Sequence, residues 1–414
     1  MDKKILIIGY VWPEPSTTAA GGRMLQLIHF FLEQGYQVTF SSTAAESEYS
    51  YDLTGIGVSK KPILLNHSSF DIFLKDLNPA IVLFDRFLTE EQFGWRVVQN
   101  NPNAVRILDT EDLHSLRHCR QLAYKKSLPF TTQNWLGQDL TKREMASIYR
   151  CDLSFIISLH EIDLLAKTLK IDDSLLLHLP MMYDVIDEEQ RNNWLDFNQK
   201  KDFVCIGNGK HAPNIDAVQT LKKEIWPMIR SVLTTANLFI YGAYMPESIK
   251  QLNSPKQGFH IMGHADNANE VVSKARLNLA PLNFGAGIKG KLLNGMLSGT
   301  PSITTDIGAE GICANLPWNG LIANDPDTFA KAAILLYQNK DKWSKAQQNG
   351  IDIINNYYNK AVLQQILLDK IGQINKDLAA HRSHNFIGAM LLHHTQASTK
   401  FMSKWIEEKN SRPQ

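Results

Sequence analysis

The stretch LAPLNFGAGIKGKLLNGMLSGTPSITTDIGAEGI, residues 279–312, decides how the chain is read. Its apolar opening has the character of a β-strand, and Gly285 and Gly287 mark a tight turn after it. A helix is expected to begin near Gly287 or Ile288, and Gly299-Thr300-Pro301 closes it before a further strand at 301–307. Strand, turn, helix and strand in this order are one βαβ unit, the element from which parallel sheets are built.

The same rhythm extends to both sides. Short apolar runs read as strands at 3–9, 36–42, 79–85, 104–110, 151–158 and 174–180. Others fall at 202–208, 237–243, 258–264, 277–283, 301–307 and 320–326. Between the first two runs, Met24, Leu25, Leu27, Ile28, Phe31 and Leu32 follow the spacing of an amphipathic helix that Gly35 ends. After Pro180 the sequence turns polar for about twenty residues, long for a loop within one compact domain. The expected architecture is therefore α/β with two doubly wound, Rossmann-like lobes, 1–185 and 186–370, facing a central cleft, followed by a helical tail at 371–414.

Composition narrows the classes of function. Among 414 residues, 43 Lys and Arg stand against 42 Asp and Glu, so no net field gathers nucleic acid, which is excluded as a partner. The four cysteines are scattered without a CxxC pair, which fits a reducing cytoplasm and points away from zinc or a disulfide framework. The apolar run near the amino terminus is too short for a signal-peptide core, and no run approaches the roughly 20 residues that span a bilayer.

In open α/β sheets ligands bind beyond the carboxyl ends of the strands, so the loops there carry the chemistry. The loop at 9–23 ends at a helix amino terminus, whose N–H groups attract anions, and Gly21 and Gly22 there either admit a phosphate or simply form a turn. Neither a GxGxxG fingerprint nor a P-loop is present, which disfavours a dehydrogenase. The loop DTEDLHSLR, residues 109–117, sets a carboxylate cluster of Asp109, Glu111 and Asp112 with His114 and Arg117 beyond a strand as a sugar-facing set, although Asp109 or Asp112 could cap a helix and His114 could belong to the core. In the deciding stretch, Lys291 and Asn294 share a helix face near its positive end, placed to hold a nucleoside diphosphate by its phosphates and a hydroxyl. No metal is required, and the Asp325-Pro326-Asp327 segment reads as a turn.

The stretch GAGIKGKLLNGMLSGTPSITTDIGAEGI resembles the signature region of retaining glycosyltransferases of the GT-B fold, glycosyltransferase family 4. The amino end is similar as well: a strand, Pro13-Glu14-Pro15, then Gly21, Gly22 and Arg23 before a helix. So is GNGKHAPNIDA, residues 207–217. The resemblance implies transfer of a sugar, with retention, from a nucleotide diphosphate sugar to a glycan, lipid-linked or other acceptor, without a cofactor. It implies that Gly21 and Gly22 approach the diphosphate from the first, acceptor-side lobe. Lys291 with the turn at Gly285 to Gly287 would bind it from the second, Lys210 or His211 would add a cation, and His114 would lie near the transferred sugar. The family usually carries two glutamates eight positions apart, where this chain has Ala286 and Asn294. That departure keeps open a catalytically inactive binding or scaffold protein; a nucleotide-sugar epimerase is the other alternative.

In the tail, Phe386, Ile387, Met390, Leu391, Phe401, Met402, Trp405 and Ile406 form an interrupted apolar stripe with Lys400, Lys404 and Lys409 close by. The reading preferred is a helix whose stripe the protein's own lobes cover; peripheral contact with the inner face of a membrane is the alternative. His384, His393 and His394 are read as structural, the last two pointing to different sides of the helix.

Overall fold

The computed structural model describes residues 3–411. Seven parallel strands form the first sheet: β1 (Lys4–Gly9), β2 (Gln37–Ser42), β3 (Ser59–Pro62), β4 (Ile81–Asp85), β5 (Val105–Asp109), β6 (Leu153–Ile156) and β7 (Leu176–His178), in the order β3-β2-β1-β4-β5-β6-β7. The second sheet has β8 (Lys201–Ile206), β9 (Leu238–Tyr241), β10 (Phe259–Gly263), β11 (Ala275–Ala280), β12 (Ser302–Thr304) and β13 (Gly320–Ile322), also parallel, in the order β10-β9-β8-β11-β12-β13. In each sheet the strand order reverses beside the first strand, between β1 and β4 and between β8 and β11. The two crevices that this opens face each other.

The inner strands are mostly apolar on both faces because helices cover both. Ile5 and Ile7 enter one core with Phe31 and Ile107, while Leu6 and Ile8 point the other way into a core with Phe84 and Leu108. The strand β3, SKKP, was not expected from the sequence. It lies at the sheet's edge, where one neighbour suffices and a proline needs no ladder partner.

Eight helices shape the cleft, the lobe boundary and the tail: α1 (Ala19–Glu33), α2 (Arg86–Asn100), α3 (His114–Lys125), α4 (Asp139–Arg150), α5 (Ala212–Thr220), α6 (Gly290–Leu297), α7 (Lys360–Lys376) and α8 (Phe386–Ser411). Helix α6 begins later than expected, at Gly290. Gly287 has φ 62° and Lys289 has φ −90°, ψ 89°, so neither can join the helix.

The lobes are not consecutive in the chain. Leu179 and Met182 pack in the first core and Ile186 in the second, but the expected second lobe of 186–370 does not close there. On α7, Leu363, Leu367, Ile371 and Ile374 belong to the first-lobe core that also holds Ile5, Ile28 and Leu153. The chain therefore crosses between lobes twice, and Lys360 N–H donates to Tyr183 O at 2.7 Å where the two crossings meet.

The tail also lies on the first lobe. Arg382 grips Asp152 with two 2.7 Å bonds, and Asn385 Nδ2 donates to Tyr149 O at 2.7 Å. Helix α8 then runs over α2 and α4, turning Gly388, Ser403 and Glu407 inward. The apolar stripe was expected to be covered. Six of its eight residues face out instead, with Leu391 and Ile406 half-buried, because the small and polar side of the helix makes the packing contact. His393 and His394, expected on different sides, bring their rings within 4.8 Å. Among the described residues no helix is long and apolar enough to cross a membrane.

Candidate active site

Between the sheets' carboxyl ends lies a cleft of about 850 Å³. Its second-lobe wall is built on helix starts. Gly290 and Lys291 occupy the first turn of α6, where N–H groups have no carbonyl of a preceding turn to serve them. Lys291 Nζ donates to Asn214 Oδ1 at 2.6 Å and sits close above Gly207, where a Cβ would come within 2.8 Å of it. Burial lowers the Lys291 ammonium from its ordinary value, so an anion arriving here would strengthen its charged form. Asn294 lines the cleft one turn further along α6. His211 stands at the amino-terminal cap of α5, and burial together with Arg117 lowers its pKa to about 4. Lys210 lies at the exposed rim with Nζ 3.5 Å from the centre of the Tyr244 ring.

The glycines do different work from that expected. Gly21 N–H donates to Thr18 Oγ1 at 2.9 Å and Gly22 N–H to Thr18 O at 3.2 Å, so neither donor is left for a phosphate. Gly21 is needed for packing: a Cβ would come 2.5 Å from Glu14 O, while one on Gly22 would meet nothing. Gly285 gives its carbonyl to Arg120 Nη1 at 2.9 Å, and Gly287 N–H donates to Glu161 Oε1 at 2.9 Å. A Cβ on Gly287 would lie 2.7 Å from Asp112 Cβ. This turn lets the lobes touch; the donors left facing the cleft come from the start of α6.

The first-lobe wall contains the expected cluster and more. His114 opens α3, with Nε2 3.3 Å from Asp112 Oδ1, and its ring meets Phe87 edge-on. Burial lowers its pKa to about 4, which leaves a neutral imidazole at neutral pH. Burial pushes the Asp112 carboxyl up, but Arg117, 2.7 Å away, and His114 outweigh it and hold the group well below the usual range. Asp109 does not face the cleft: it is fully buried and receives both Nε and Nη2 of Arg23.

Sequence reasoning missed Arg86, and it held Glu111 only as one carboxylate of the 109–117 cluster, without a role of its own. They follow β4 and β5, line the cleft and hold left-handed backbones, with φ 69° and 61°. Such strain in side-chain-bearing residues costs about 1–3 kcal/mol each and persists where surrounding structure enforces it. Arg86 pairs with Asp85 at 3.3 Å and lies over the Tyr10 ring. Burial and Asp109 raise the Glu111 carboxyl to about 8. At neutral pH it is a hydrogen-bond donor at the cleft floor. Glu161, fully buried, accepts from Leu113 N–H as well as Gly287 N–H and so joins both lobes; burial and Asp112 raise it to about 8. Among the described residues no cluster of His, Cys, Asp and Glu is arranged to hold a metal ion.

Residues 200–339 match the family described as Glycosyl transferases group 1. The match lies within the second lobe. No functionally curated protein matches the chain in sequence. Among solved structures, the chain is similar to sucrose-phosphate synthase from Thermosynechococcus elongatus, with TM-score 0.64 and 15% identity over 91% of this chain and 99% of that one. HepE from Anabaena, in complex with UDP and glucose, gives TM-score 0.62 and 11% identity over 89% and 99%. TarM from S. aureus, a G117R mutant in complex with fondaparinux, alpha-GlcNAc-glycerol and UDP, gives 0.55 and 13% over 72% of this chain. The chain spans 57% of the TarM structure's length. The fold is therefore GT-B.

Proposed function

We propose that the protein is a glycosyltransferase that moves a sugar from a nucleotide diphosphate sugar to a carbohydrate or lipid-linked acceptor, with retention of configuration. The observation that carries this reading is the convergence of Lys291 and the first-turn N–H groups of α6 on the cleft, within the domain that matches the glycosyl transferases group 1 family. That domain match favours transfer over a scaffold or an epimerase.

In the reaction the bond between the anomeric carbon and the diphosphate oxygen breaks, and an acceptor oxygen takes its place. The acceptor proton leaves on the departing diphosphate. Negative charge grows on that diphosphate, and Lys291 and the α6 N–H groups are already aimed at it, so they stabilise the transition state without reorganising. Lys210 and His211 stand at the same wall, with Lys210 towards the rim. His114, neutral and one wall away, faces the sugar, and Arg86 and Glu111 supply the first-lobe donors an acceptor would meet. Asn294 would hold a ribose hydroxyl.

The test is to titrate the purified protein with UDP, GDP and ADP and to assay their sugars for hydrolysis or transfer, with and without EDTA. Lys291→Ala should weaken nucleotide binding about ten- to a hundredfold, the value of roughly 1.5–3 kcal/mol for a charge-assisted hydrogen bond. Turnover should survive EDTA, since side chains and backbone meet the charge. Equal affinity in the parent and Lys291→Ala would remove the phosphate assignment.

A further inference from the structure

Helix α8 carries two contrary faces. Its inner face, with Gly388 against Tyr149 O and Ser403 accepting from Arg96 Nη2 at 3.3 Å, is docked on α4 and α2. Glu407 is turned inward too, taking the Ser68 N–H at 2.6 Å. On a 3.6-residue period the opposite side presents Phe386, Ile387, Met390, Phe401, Met402 and Trp405. These six are between 45% and 74% exposed, in a molecule whose other large side chains are mostly buried in its cores. The six fall in two clusters on this side, Phe386, Ile387 and Met390 near the start and Phe401, Met402 and Trp405 near the end, about 16 Å apart at 1.5 Å per residue, and exposed large apolar groups of this kind call for an occupant.

The charges beside the ridge say which occupant. Lys404 lies on its border, Lys400 is partly covered just beyond, and Lys409 reaches over the Trp405 ring at 5.4 Å. Glu408 is the acidic group on this outer side, among the described residues of α8. A convex ridge with aromatic and aliphatic side chains between lysines matches an interface of acyl chains and anionic headgroups, into which such a helix sinks about 5–10 Å. A two-fold contact with a second copy would instead set the same lysine-bordered face against itself. No helix among the described residues can span a bilayer, so the contact is with the membrane's surface. We propose that α8 is a surface anchor that lays its outer face on an anionic lipid bilayer while its inner face holds the first lobe.

The proposal does not rest on the sugar-transfer reading, and its test does not use activity. The full chain is sedimented with vesicles of phosphatidylcholine containing about a third phosphatidylglycerol, and with phosphatidylcholine alone, the proportion being chosen to give a strongly anionic surface. Binding is expected to the anionic vesicles and to fall in about 0.5 M salt, where charges are screened within a few ångström. Phe401→Gln with Trp405→Gln should lower the partition at least about tenfold, since both side chains then stay in water. Lys400→Gln with Lys404→Gln should lower it on anionic vesicles only. Phe401, Lys404 and Trp405 are exposed, so melting temperature should hold in the Phe401 and Trp405 variant. No binding to anionic vesicles, or unchanged binding by the Phe401 and Trp405 variant, overturns the proposal. So does a dimer in analytical ultracentrifugation that the same variant dissolves while vesicle binding is absent in the parent.

Discussion

Asn294 lines the cleft at one of the two places where the family resembled by the deciding stretch usually has a glutamate. An asparagine offers a hydroxyl pair one acceptor oxygen and an NH₂ donor, whereas a carboxylate can accept from both hydroxyls at once. Asn294→Glu should therefore tighten nucleotide diphosphate binding by about 1–1.5 kcal/mol, roughly tenfold, as a neutral hydrogen bond becomes charge-assisted. Lys291, three residues earlier on the same helix face, offsets part of the added charge. Isothermal titration checks this, and weaker binding by the variant would mean that the side chain does not face a ribose. The residues that face the cleft from α6 were legible in the sequence because helix starts announce themselves through glycine turns and spacing. Arg86 was not, and Glu111 was legible only as a member of the 109–117 carboxylate cluster. Their importance lies in backbone strain and a shared floor, and neither leaves a pattern along the chain.

Elements were legible wherever burial is two-sided. Twelve of the strands carry short, mostly apolar runs, and the edge strand SKKP escaped, since an edge needs no apolar face. The stripe on α7 likewise announces a buried side, but nothing in its spacing names the lobe that buries it. Glu161 escaped because LHEID, residues 159–163, has the look of a surface turn of helix. In the fold it joins α3's start to the Gly287 turn. Its raised pKa gives a signed expectation. Between the ordinary carboxyl value near 4.5 and about 8, the folded state holds a proton that the unfolded chain has lost, so this group's contribution falls as pH rises through that window. Glu161→Gln keeps an acceptor for both N–H groups and removes the ionisation. Its melting temperature relative to the parent should climb from pH 5 to pH 8.5, and a difference that stays flat with pH would count against the buried, protonated carboxyl.

At the scale of the molecule, the cleft is held shut by contacts between lobes. Arg120 donates to Glu310 at 2.7 and 2.8 Å and to Gly285 O, while on the other side Tyr244 donates to Glu14 at 3.1 Å. The Arg120 pair is largely buried, so Arg120→Ala leaves the Glu310 carboxylate with His160, 3.3 Å away, as its nearest remaining partner and without its bidentate one. The lobes should open to rehydrate it. Small-angle scattering should show a larger radius of gyration in the variant, reversed by saturating nucleotide if both lobes close on it. Identical scattering before and after the substitution would mean that the remaining contacts suffice.

The return of α7 to the first lobe also sets the order in which the molecule can be made. Domains usually fold as they leave the ribosome, the amino-terminal one first. Here the first lobe's core waits for Leu363, Leu367, Ile371 and Ile374, which are translated only after every strand of the second sheet. During synthesis the second lobe can finish while Ile5, Ile28 and Leu153 still lack part of their cover. The nascent chain therefore passes through a stage in which its oldest part is its least complete, and that stage is where a chaperone would find apolar surface to hold.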